Sequence, residues 1–172
     1  MNKLTKKIIW YVVIVLLIFL IGWWIYNQFP KGMDYSQSFQ DQGREHIDIG
    51  AEHQEYNSNP PTSGSHYAQP AKEGFYEKEL PDEQLIHNLE HGDIWIAYKP
   101  ELSKEIIKQL KSFAGFMVIV APRAKNDMDI ALAGWGRLDK FNLENGVLNA
   151  QRVRDFILRY QNKGPEKLNM VR

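Results

Sequence analysis

The chain has no cysteine. That excludes disulfides, thiolate metal sites, a redox Cys-x-x-Cys pair and a lipidated cysteine. An excess of one charge is also missing, since 21 basic residues balance 21 acidic ones. With Lys3, Lys6 and Lys7 set aside, the rest of the chain has 18 basic and 21 acidic residues, a formal charge of −3. That does not suit nucleic acid, whose phosphates are bound by basic patches. No internal repeat and no phosphate loop is present. Ser63 and Ser65 flank Gly64, but no strand leads into a nucleophile elbow there. Histidine is scarce and confined: all five lie from His46 to His91, and none follows Gly92.

Charge is absent from Ile8 to Tyr26. These 19 residues, at about 1.5 Å of rise each, just span a hydrocarbon core of about 30 Å. Trp10 and Tyr11 mark one interface, and Trp23, Trp24 and Tyr26 the other. A cleavable signal peptide would have a shorter apolar region and small residues at its end. The bulky Trp23–Tyr26 end favours an uncleaved, single-pass anchor in the cell membrane. Lys3, Lys6 and Lys7 place residues 1–7 in the cytoplasm by the positive-inside rule, and everything after Asn27 outside it. The lipid bilayer is thus an expected partner. Residues 27–43 are polar and aperiodic, which suits a stalk, and 44–172 form one extracytoplasmic domain.

Within the domain, His46–Ile49 alternates and meets Gly50, as a short strand does. Residues 52–74 read as a loop stiffened by Pro60 and Pro61. Pro81 to His91 reads as a short helix, with Asp82 and Glu83 at its start and Gly92 as its stop. Strands are expected at 93–98, 116–121 and 130–135. Helices are expected from Pro100, with Leu102, Ile106, Ile107, Leu110 and Phe113 on one face, and after Asn149, with Val153, Phe156, Ile157 and Tyr160 inward. The order β-α-β-α-β-β-α implies an α/β sandwich of thioredoxin-like arrangement without Cys-x-x-Cys. Its hairpin would join Phe116 to Trp135. An α+β sheet with helices on one face is the alternative.

The histidines carry the chemistry. His87 and His91 are four apart and share a helix face, while Leu85 and Leu89 anchor the opposite one. The loop bearing His66 can cover the histidine face. His66, His87 and His91 are therefore expected to converge on a metal, with His53 or His46 as a fourth ligand and Met128 behind them. Imidazole-rich ligation, no thiolate and spare methionines (Met117, Met128) favour copper over zinc. His87-Asn-Leu-Glu-His91 also matches H-x-x-E-H, the inverted zinc-protease motif, which would make Glu90 the base of a metal-dependent hydrolase. A competing reading treats the histidines as a structural network behind a docking surface for an envelope protein partner.

Three segments resemble a bacterial family described as a conserved domain of unknown function. They are Pro60-Pro-Thr-Ser-Gly-Ser-His-Tyr67, His87-Asn-Leu-Glu-His-Gly92 and Ala133-Gly-Trp-Gly-Arg137. The last departs from the family pattern by Gly134. Glu45–Ile47 and His53 are similar to the family's upstream segment, and the resemblance spans roughly Arg44 to Tyr160. It implies a single-pass, extracytoplasmic protein and supplies no activity.

Overall fold

The computed structural model describes residues 2–166. The chain opens with helix α1, Lys3–Tyr26, capped by the Asn2 side chain on the Thr5 N–H and with no buried residue. Among the described residues it is the one helix long and apolar enough to cross a membrane. Strands β1 (Gln37–Ser38), β2 (His46–Ile47), β3 (His66–Tyr67) and β4 (Gly74–Phe75) follow, then helix α2 (Asp82–Glu90). The remainder runs β5 (Ile94–Tyr98), α3 (Lys104–Lys111), β6 (Val118–Pro122), β7 (Ile130–Gly134), β8 (Arg137–Phe141) and α4 (Ala150–Tyr160).

Six strands form one open mixed sheet in the order β1-β8-β7-β5-β6-β4. The fold is α/β, with helices on both faces rather than on one. Strand alternation decides which residues meet which helix. Ile94, Ile96, Val118, Val120, Ile130 and Leu132 face α3 and α4, meeting Ile106, Leu110, Val153 and Phe156. Trp95, Ala97, Ile119, Ala121, Ala131 and Ala133 face the other way, onto Leu85 and Leu89 of α2. The four alanines on that face give α2 room to lie close against the sheet. Leu85 and Leu89 are fully buried, each contributing about 1.5–3 kcal/mol.

The expected hairpin from Phe116 to Trp135 does not form. Strand β6 pairs in parallel with β5, as a β-α-β crossover requires, and β7 pairs antiparallel with the opposite edge of β5. Strand β5 therefore separates the two. The hairpin is β7–β8, closed by Trp135-Gly136, where Gly136 takes a φ of +63°. A two-residue turn with a left-handed glycine joins antiparallel strands readily; the seven residues from Arg123 to Asp129 do not form such a turn. Strand β8 was hidden because Arg-Leu-Asp-Lys-Phe lacks an apolar alternation. Its inward Asp139 is buried in an ion pair with Arg152, the carboxylate accepting from Nε at 2.9 Å.

Two further expectations are corrected. The strand expected at 46–49 is not in the main sheet; it shortens to His46–Ile47 and pairs in parallel with β3, setting His46 opposite His66. Helix α3 begins at Lys104, not at Pro100, because Ser103 caps it through the Ile106 N–H. From Lys31 onward the chain makes contacts with the domain. The Lys31 and Gly32 N–H groups donate to Asp155 at 2.8 and 2.7 Å, Asp34 accepts from the Tyr160 hydroxyl at 2.5 Å, and β1 pairs with β8. Burial, the largest single influence, raises the Asp155 carboxyl, but the bonds from Lys31, Gln151 and Gly32 and the charge of Arg159 together outweigh it and hold the group below its usual range.

Candidate metal centre

Helix α2 supplies three of the relevant side chains. With Leu85 and Leu89 in the core, its opposite face carries His87, Glu90 and His91. That face is covered, since His87 and Glu90 are only 5% and 3% exposed. The cover is the loop ending in His66, as the proline and glycine content implied. The loop is held from several directions. Thr62 and Ser63 are fully buried; the Thr62 carbonyl accepts from the Gly136 N–H at 3.0 Å, and Ser63 Oγ accepts from the Gln42 N–H at 3.0 Å. Gly64 takes a φ of +115°, and a side chain there would press on the Tyr56 ring at 3.0 Å. The Tyr56 hydroxyl in turn donates to the Ser65 carbonyl at 2.6 Å.

The loop and α2 are also tied to each other. Arg123, at the end of β6, donates two bonds to Asp82, each 2.8 Å, and a third to Asn59 at 2.6 Å. One guanidinium thus fixes the start of α2 and the start of the loop. The other end of α2 is fixed by the chain after α4. There the Asn162 N–H donates to the Gly92 carbonyl at 2.8 Å, and the Glu166 N–H to the Glu90 carbonyl at 3.1 Å. Gly92 has a φ of +91°, and a Cβ would come within 2.8 Å of the Asn162 backbone. The glycine that closes His87–Gly92 is therefore required by conformation and by contact.

These supports bring His46, His66, His87 and Glu90 into one group, with one ligand atom from each lying within 4.8 Å of all the others. His66 Nδ1 bonds to the Gly64 carbonyl at 2.7 Å, and His87 Nδ1 to the Tyr67 carbonyl at 2.7 Å. A carbonyl only accepts, so each Nδ1 carries a proton, and in the neutral ring each Nε2 then keeps its lone pair. His66 Nε2 then faces a Glu90 carboxylate oxygen at 3.2 Å. His87 Nε2 faces His91 Nε2 at 3.1 Å. The His46 ring stacks on His87 at 5.0 Å between centroids, its Nε2 being 4.0 Å from Glu90. Ring nitrogens and a carboxylate converge on one volume, buried at His66, His87 and Glu90 and open at His46, whose side chain is 51% exposed, and a cation or protons between them would relieve that arrangement.

Protons are disfavoured at His87. Burial pushes its imidazolium below the ordinary range; the bond to Tyr67 opposes this, and the His91, His66 and His46 rings reinforce it. The donor set of three imidazoles and one carboxylate is an ordinary one for a divalent transition metal. Arg44, 3.8 Å from the second Glu90 oxygen, supplies a counter-charge.

Two expected ligands are placed differently. His53 is outside the group: its Nδ1 bonds to the Gln54 carbonyl at 2.8 Å, and its Nε2 lies 3.4 Å from Glu83. The reason is local, since His53 packs on Tyr56 at 4.6 Å and Tyr56 is committed to the Ser65 carbonyl. His91 touches His87 but belongs to a second group, with Glu90 and Glu166. Met117 is buried immediately before β6, and Met128 lines a small cleft with Tyr35 and Leu138. Glu90, expected as a base, instead offers a ligand atom to the group; the signal for it is that His87-x-x-Glu90 is an i, i+3 pair on one helix face.

A pH dependence follows for the metal-free protein. The folded pKa of His87 lies below its unfolded value of about 6.5, so the unfolded chain binds more protons and stability rises with pH. In chelator-treated protein, stability to urea should be full above about pH 6.5 and fall as pH drops below it. His87→Gln should flatten the profile. A wild-type profile flat between about pH 5 and 7, or one falling as pH rises, would contradict this account of the site.

Comparison with curated proteins and with solved structures returned no match. The model of one family, described as "Protein of unknown function (DUF3105)", matches residues 48–171. The match contains His66, His87, Glu90, His91 and Glu166, and begins two residues after His46. It covers most of the chain, and the protein accordingly belongs to the DUF3105 family.

Proposed function

We propose that the protein is a membrane-anchored, extracytoplasmic metal-binding protein whose ion sits among His46, His66, His87 and Glu90. The observation that carries this is the pair of Nδ1 bonds to the Gly64 and Tyr67 carbonyls. Ligating histidines are commonly oriented by such a bond, which fixes the tautomer and raises the basicity of the other nitrogen. Here the two freed nitrogens and the buried carboxylate already point into one volume. The ion is divalent. Among the described residues the group offers nitrogen and oxygen, not the thioether that would favour Cu(I), and such a set favours Cu(II) over Zn(II) by the general affinity order.

The full-length protein, purified in detergent without a histidine tag, should bind Cu(II) more tightly than Zn(II) in competition titrations. His66→Ala, His87→Ala and Glu90→Gln should each weaken binding by more than about 100-fold, beyond what loss of an outer partner does. His53→Ala should leave it unchanged. Metal should raise the Tm through linkage. Equal affinity in wild type and His66→Ala, or a Tm indifferent to metal, would abandon the metal for the docking-surface reading. Metal-dependent peptide cleavage lost in Glu90→Gln, with the ion still bound, would favour the hydrolase.

The location rests on α1 and its lysines. Alkaline phosphatase fused after the C-terminus should be active and sediment with membranes. An inactive fusion would refute export, and an active one found free of membranes would indicate a cleaved signal.

A further inference from the structure

The side chain that the first group does not use is His91. Its Nε2 lies 3.4 Å from a Glu166 carboxylate oxygen, and Glu90, His91 and Glu166 each offer a ligand atom within 4.8 Å of the others. Glu90 thus belongs to both groups. A carboxylate has two oxygens and can serve two cations. The His87 and His91 Nε2 atoms lie 3.1 Å apart, so the two groups are contiguous, on the scale of about 3.5–4 Å that separates paired metals. We infer that the centre is dinuclear: Glu90 bridges the first ion to a second one held by His91 and Glu166.

This inference rests on the first group holding a metal. Several features distinguish the second position. The Glu166 side chain is 56% exposed, whereas Glu90 is buried. A groove of about 250 Å³ lined by Lys72, Asn88, His91 and Asp93 opens beside it. With three protein ligands, one of them at the surface, the second ion keeps open positions toward that groove and exchanges more readily than the first. Glu166 is nonetheless placed, because its N–H donates to the Glu90 carbonyl at 3.1 Å. The chain after α4 therefore completes the centre, not α2 alone.

The test counts ions. Full-length, untagged protein is equilibrated with Zn(II), and bound metal per chain is measured by elemental analysis over a range of free Zn(II). Wild type should reach two ions in two separated steps. Glu166→Ala and His91→Ala should each reach one, with the tighter step retained. Alanine at 166 leaves the backbone bond to Glu90 intact, so the fold is not at stake in that variant. With Cu(II), wild type should lose its isolated-ion paramagnetic resonance signal at the second step through coupling across Glu90, and Glu166→Ala should keep it. One ion in wild type, with Glu166→Ala indistinguishable, would overturn the dinuclear centre and leave the proposed function standing. Two ions in Glu166→Ala would overturn it as well. No ion in wild type would remove both.

Discussion

The hydrogen bond from each of two imidazole Nδ1 atoms to a backbone carbonyl is the constraint on which the site depends. With both Nδ1–H groups donating to the Gly64 and Tyr67 carbonyls, the Nε2 atoms of His66 and His87 are turned inward. There they meet Glu90 and His91. In a solvated loop, water would dissipate such a cluster. Here His66 is fully buried and Glu90 nearly so, and unpaired acceptors in a dry interior are costly. The same burial that penalises the cluster as a structural network would favour a cation held among its ligand atoms.

Much of the remaining structure serves to hold that geometry. The three segments that carry the family resemblance are one mechanical unit. Pro60–Tyr67 brings His66 and the two accepting carbonyls. His87–Gly92 brings the helix face. Ala133–Arg137 forms the β7–β8 turn, which donates the Gly136 N–H to Thr62 and sets Trp135 edge-on to His66 at 6.5 Å. Arg123 joins the loop to α2, while Gly92 and Gly164 let the chain after α4 pass close to the helix end. Small, bulky and charged positions far apart in sequence thus answer to one requirement, the fixed approach of four side chains.

The parts legible from sequence were those set by local patterns. Helix α2, its Leu85–Leu89 anchor, the Asn149 cap and the buried β6 run are all determined within a few residues. The approach of His66 to His87 was legible where histidine spacing met a stiff loop, and His46 was named beside them as a fourth candidate. What escaped depended on long-range pairing. Strand β8 looked polar because Asp139 is neutralised by Arg152, a partner on α4. The place of β6 beside β5, not β7, was a matter of topology that no local pattern states. Glu90 read as a base because a protease motif matched it, while its burial beside His66 depended on the loop folding over α2. Glu166 sits in a polar tail with no periodicity, and its backbone bond to Glu90 and its side-chain contact with His91 place it.

The most direct measurement is X-ray absorption at the edge of the bound metal, on full-length protein loaded with one equivalent of Cu(II). The account predicts a first shell of nitrogen and oxygen at about 2.0–2.1 Å, with the outer scattering of about three imidazoles and no sulfur contribution. A first shell of oxygen alone, without imidazole scattering, would contradict it. So would a sulfur neighbour, which would return methionine to the ligand set and remove Glu90 from its centre.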